Sequence, residues 1–149
     1  MKYFKKLVGE RIYLSPRNVE DVEIFTEWMN DFYITDYTGR SYQTVTLQEE
    51  KEYLEKEQNN KNLFAIIDLQ TDEIIGTVGL HKINNINRID LALMEFNQRA
   101  LKCYEKCGFK VIGRKRKCNF INGKYYDAIL MDILAEEFTE TYIKNKNIK

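Results

Sequence analysis

The sequence is poor in residues that break or staple a chain. It has one proline, one histidine, three cysteines and seven scattered glycines in 149 residues. Nothing in it reads as a flexible linker or an internal repeat, so one domain over residues 1–149 is the economical reading. Long apolar runs are also missing. None approaches the ~18 to 20 residues that cross a bilayer, and the stretch Met1 to Glu10 lacks an apolar secretory core, which predicts a cytoplasmic chain with no membrane partner. Neither sign of charge dominates, with 23 basic against 23 acidic side chains, which argues against a general nucleic-acid binder. Cys103, Cys107, Cys118 and His81 show no zinc-type spacing, so no metal is expected. Cys103 and Cys107 lie four apart and read as buried, reduced thiols on one helix face. What remains is 44% hydrophobic and 31% charged, the composition of an ordinary soluble globular domain that needs no disulfide to hold its core.

Hydrophobic periodicity orders the chain. Arg11 to Leu14 reads as a short strand, and Asn18 can cap a helix in which Val22, Phe25, Trp28 and Met29 recur at helical spacing, ending near Asn30 and Asp31. A tyrosine-rich loop with Tyr33, Tyr37 and Tyr42 is expected next. Thr46 and Glu49 then form a capping box for a helix over Leu47 to Glu57. Leu63 to Ile67 and Ile74 to Leu80 are short and β-rich, joined by a turn at Thr71 and Asp72. Ile89 to Met94 is a further strand. Asn97 follows as an N-cap, Ala100, Leu101, Tyr104 and Cys107 make one helical stripe, and Gly108 stands past its end. Val111 to Ile121 and Lys124 to Leu134 flank Asn122 and Gly123, the strongest short hairpin signal. The polar tail from about Tyr142 should fray.

The stretch Arg88 to Phe109 resembles a conserved block of the GNAT superfamily of N-acetyltransferases. The resemblance rests on Asn97, Ala100 three residues on, Tyr104 four further, and Gly108 with Phe109 closing the helix. The opening Gly9 to Leu14, together with Trp28 to Asp31, looks like the branch of ribosomal-protein-alanine and polyamine N-acetyltransferases. The resemblance implies an α/β (α+β) fold, a mostly antiparallel mixed sheet flanked by helices. It also implies acetyl-CoA as cosubstrate, a primary-amine acceptor, Asn97, Arg99, Ala100 and Tyr104 along the cofactor, and Tyr104 as the acid that protonates the departing thiolate. Ordinary phenols and thiols lie within about two pKa units of each other, so such a transfer is feasible in a positioned site. Trp28, Asp31 and Tyr33 would line the acceptor side by the same resemblance.

The residues themselves leave alternatives open. Asn97 can cap the backbone or turn to a ligand amide. Tyr104, almost two turns on and so nearly on the same face, can be a core tyrosine or a ligand contact. Trp28, Tyr33 and Tyr37 can line a pocket or pack under a loop. Asp31, Glu27 and His81 are candidates for a general base by type alone.

One departure from the family stands out. Only His81 to Arg88 separate two strands between which the family places a strand, a glycine-containing phosphate loop and a helix, roughly 30 to 40 residues at ordinary element lengths. That loop supplies backbone amides to a pyrophosphate. With this segment absent, Asn84 and Asn85 could turn the chain between two antiparallel neighbours. Acetyl-CoA binding would weaken unless a second subunit fills the gap, which leaves a homodimer open. The alternative reading is therefore a catalytically inactive remnant of the fold, acting as a binding or interaction module. The basic run Lys110 with Arg114 to Lys117 suits a solvated strand first, an anion such as a ribose phosphate or acidic acceptor second, and nucleic acid last. Strand alternation should put no more than half of it on one face.

Overall fold

The computed structural model describes residues 2–40, 43–79 and 87–139. The expected turn at Asn84 and Asn85, His81, Tyr42, the strand end at Leu80 and the tail from Tyr142 lie outside the described residues. The described residues divide into two compact units, one built from residues 2–26 and 46–79 and the other from 27–40, 43–45 and 87–139.

In the first unit, β1 (Leu7–Val8), β2 (Ile12–Pro16), β3 (Leu63–Asp68) and β4 (Ile74–Gly79) form an antiparallel sheet in that order. β3 follows the alternation of its sequence, with Leu63, Ala65 and Ile67 buried and the residues between them half-buried. The β3–β4 turn is set by Asp68, whose Oδ1 accepts from the amides of Gln70 at 2.8 Å and Thr71 at 3.0 Å. Those two amides, Thr71 first, hold the Asp68 carboxyl below its ordinary pKa. Asn18 accepts from the Glu20 amide and opens a 3-10 turn at Val19–Asp21, which runs into α1 (Val22–Asn30). α3 (Leu47–Glu57) carries the expected capping box between Thr46 and Glu49 and buries Leu54. α1 begins in the first unit and ends in the second.

In the second unit, β5 (Arg88–Met94), β6 (Lys110–Ile121) and β7 (Lys124–Leu134) form an antiparallel sheet with β7 central. β7 supplies the core through Ile129, Met131 and Ile133, of which Met131 is completely enclosed. Asn122 and Gly123 have φ of 49° and 78°, the paired positive values that a type I′ hairpin requires. α4 (Gln98–Lys106) starts at Asn97, and Gly108 follows it at φ 92°.

The expected fold class is found: every described strand pair is antiparallel, helices flank the strands, and the described strands fall into two sheets. Three expectations need correction. The tyrosine-rich segment is not a loop but α2 (Phe32–Thr38), capped by Asp31, which accepts from the Tyr33 amide at 2.7 Å, and closed by Gly39 at φ 72°. Cys103 and Cys107 are exposed, because the partly buried residues with which α4 packs on the core are Ala100, Leu101 and Tyr104 instead. The basic run does not alternate. Register shifts between Lys115 and Asn119, with Lys117 at φ 47°, and Arg114 to Lys117 are all exposed.

Candidate functional site

The second unit contains a cleft of about 610 Å³ whose floor is the β5–β7 sheet and whose walls are α2, α4 and β6. Tyr37 and Thr38 come from α2, Asn97, Ala100 and Tyr104 from α4, and Lys115, Cys118 and Asn119 from β6. A neighbouring cleft of about 440 Å³ shares Tyr37, Asn97, Ala100 and Tyr104 and adds Tyr33, Arg99 and Cys103. The sequence stripe on α4 therefore faces open space from Asn97 to Tyr104, a rise of roughly 10 Å along the helix.

Asn97 takes the capping role its residue type allows. Its Oδ1 accepts from the Ala100 amide at 3.1 Å, which caps α4. Its Nδ2 makes no hydrogen bond among the described residues and remains a donor on the cleft wall. Tyr104 is half-buried: its ring packs against the Leu93, Ile129 and Met131 core and edge-on to Phe109 at 5.6 Å between centroids. Its hydroxyl has no partner among the described residues. Core packing thus fixes the ring of a residue that also lines both clefts.

The other expected residues divide. Arg99 and Ala100 share the second cleft with Tyr104, and Tyr33 stands at its mouth, 77% exposed. Asp31 caps α2, and neither it nor the half-buried Trp28 lines either cleft. Sequence reasoning named Lys115 within the basic run, as a second-ranked anion contact, but did not place it on this wall; it missed Thr38 at the end of α2 and Cys118 and Asn119, whose strand bulge carries no glycine to signal it. It placed Tyr37 but not its setting: Tyr33, Tyr37, Phe96 and Tyr126 form a ladder of edge-on and tilted rings with centroids 5.8, 5.4 and 4.9 Å apart. Among the described residues no group of acidic, histidine or cysteine side chains is arranged to hold a metal ion.

A family model described as an acetyltransferase (GNAT) domain matches residues 11–98, more than half of the chain, and a second of the same description matches residues 79–130. The chain belongs to the GNAT acetyltransferase family. It resembles the SPbeta prophage-derived uncharacterized N-acetyltransferase YokL of Bacillus subtilis (strain 168), at 35% identity over 51 residues. That match covers 34% of this chain and spans only 29% of the length of that relative. Among solved structures, a GNAT-family acetyltransferase from Bacillus anthracis superposes with a TM-score of 0.72 at 17% identity, over 88% of this chain and 99% of the other. A spermidine N-acetyltransferase from Vibrio cholerae, solved with CoA and spermine, gives 0.74 at 23% identity over 85% and 97%. At these identities the structures show a shared GNAT fold, an α/β arrangement of antiparallel sheets and flanking helices.

Proposed function

We propose that this GNAT protein transfers an acetyl group from acetyl-CoA to a primary amine, with α4 as the cofactor-facing helix. The observation that carries the proposal is that Asn97 and Tyr104 share one cleft, each with an uncommitted polar end. An extended arm bearing amides and a terminal thioester fits that pattern: a donor at the helix start, a hydroxyl almost two turns along, and Ala100 between them, small enough to let the arm lie close. When bound, acetyl-CoA supplies the thioester carbonyl carbon as the electrophile.

Asn97 Nδ2 donates to the arm while its Oδ1 keeps the cap. The acceptor amine, deprotonated, forms the new carbon–nitrogen bond as the carbon–sulfur bond breaks. Tyr104 gives its phenolic proton to the departing sulfur and regains one from the amine nitrogen, directly or through water, so the protons balance. Only residues 80–87 separate β4 from β5, too few for a phosphate loop with its own helix, so phosphate contacts fall to side chains, and Arg99 is the cation closest in sequence to the arm.

Calorimetric titration with acetyl-CoA, for the natural chain and for Tyr104→Phe, tests this reading. Saturable micromolar binding by both, with acetyl transfer lost only in the variant, is expected. No detectable heat into the millimolar range at two temperatures overturns it.

A further inference from the structure

The charge lining the two clefts bears on the acceptor. Arg99 and Lys115 are the charged side chains that line them, both are cations, and neither has an ion pair among the described residues. No aspartate or glutamate lines either cleft among the described residues. The reason Lys115 stands alone is visible in the neighbouring strands. Arg114 takes up the nearby carboxylates, lying 3.4 Å from Glu95 and 3.9 Å from Asp127. The remaining Glu95 oxygen accepts from the Asp127 amide, and Asp127 Oδ1 accepts from the Lys117 amide, both at the short end of ordinary hydrogen bonding. The cross-strand partner of Lys115 is Ala128, which offers no countercharge. Lys115 also belongs to the wall formed with Thr38, Cys118 and Asn119, whereas Arg99 lines the other cleft.

Building on the acetyl-transfer reading, we infer that the acceptor is an amine carrying a carboxylate near its amino group, and that Lys115 selects it. A polyamine brings two or more ammonium groups to this surface, where they would meet Lys115 with no carboxylate of the cleft lining to receive them. An amine with a carboxylate supplies the missing countercharge and presents a single ammonium, which must lose one proton before it can attack. Lys115 is here a specificity residue that acts on binding and takes no part in proton transfer.

The experiment is direct binding of three amines to the full chain by calorimetry at low salt: alanylaspartate, alaninamide and spermidine. Each is titrated into the natural protein, Lys115→Gln and Lys115→Glu. Lys115 is exposed, so neither substitution should disturb folding, and far-ultraviolet circular dichroism checks this. Alanylaspartate should bind about two- to fivefold tighter than the other two, the discrimination an exposed ion pair supplies. Lys115→Gln should remove the preference and Lys115→Glu should reverse it toward spermidine. Spermidine binding as tightly as alanylaspartate, a preference that survives both substitutions, or no alanylaspartate binding into the millimolar range would each overturn the inference. Acetyl transfer is assayed separately: a preference that follows Lys115 without any transfer overturns the enzymatic reading and leaves the cleft's selectivity standing, and transfer that favours spermidine does the opposite.

Discussion

Tyrosines in the two units are used in opposite ways. In the first, Tyr3 donates to Asp21 Oδ1 at 2.8 Å, Lys2 lies 2.6 Å from the same oxygen, and Tyr13 donates to the Asp72 carboxylate. Burial, reinforced by these carboxylates, raises both phenols, Tyr13 to about 12, and the Asp21 contact raises Lys2. In the second unit Tyr104 is only half-buried, its ring packs on the core, it lines a cleft, and its hydroxyl has no partner among the described residues. Enclosed hydroxyls that find acceptors hold strands and turns together. Under the proposed acetyl-transfer reading, the unpaired hydroxyl of Tyr104 and the spare donor of Asn97 serve a ligand instead.

That contrast can be broken by experiment. Tyr104→Phe should lower the rate of acetyl transfer about 100-fold, the usual scale for losing a positioned acid, with the melting temperature unchanged. A stability loss comparable to that of a buried hydroxyl would mean that Tyr104 belongs with Tyr13. Asp72→Ala should cost about 1 to 3 kcal/mol in denaturant unfolding, because it orphans the Tyr13 hydroxyl and leaves alanine at φ 58°. Asp72→Asn, which keeps an acceptor and tolerates that backbone, should recover most of the loss.

The raised Tyr13 pKa gives a pH signature. The folded state favours the neutral phenol, so its contribution is complete below the unfolded value near 10 and falls away as pH rises from about 10 to 12. Up to about 2 kcal/mol should disappear over that window in unfolding measurements, and Tyr13→Phe should flatten the profile. The smallest effect separates the two duties of Asn97. Asn97→Ala should lose about 1 kcal/mol of stability with its cap, whereas Asn97→Ser should restore the cap and leave acetyl-CoA affinity reduced.

Much of this architecture was legible because local and tertiary signals agree. The Thr46 and Glu49 box, the Asn97 cap with Gly108 beyond the helix, and the Asn122 and Gly123 turn are each specified by a few residues whose chemistry has few alternatives. α2 was not legible, since Phe32 to Thr38 is aromatic and β-branched, poor helix material that holds only through its Asp31 cap and Gly39. The bulge in β6 was hidden for the same kind of reason: Lys117 takes a positive φ without the glycine that would announce it. Asn97 and Tyr104 were singled out by the family resemblance, since spacing alone left a cap and a core tyrosine as alternatives; Lys115 was named only as part of a basic run, because its isolation depends on Arg114 lying beside both carboxylates.

The seven-residue interval along α4 also sets a rule for variation in this helix. A single inserted or deleted residue between Gln98 and Cys103 would turn everything after it by about 100°, sending Tyr104 round to the side where Cys103 or Glu105 now stands. Substitution is forgiving on the outer surface of α4, but its length is quantised: the two polar ends stay near one face only if changes come in whole turns.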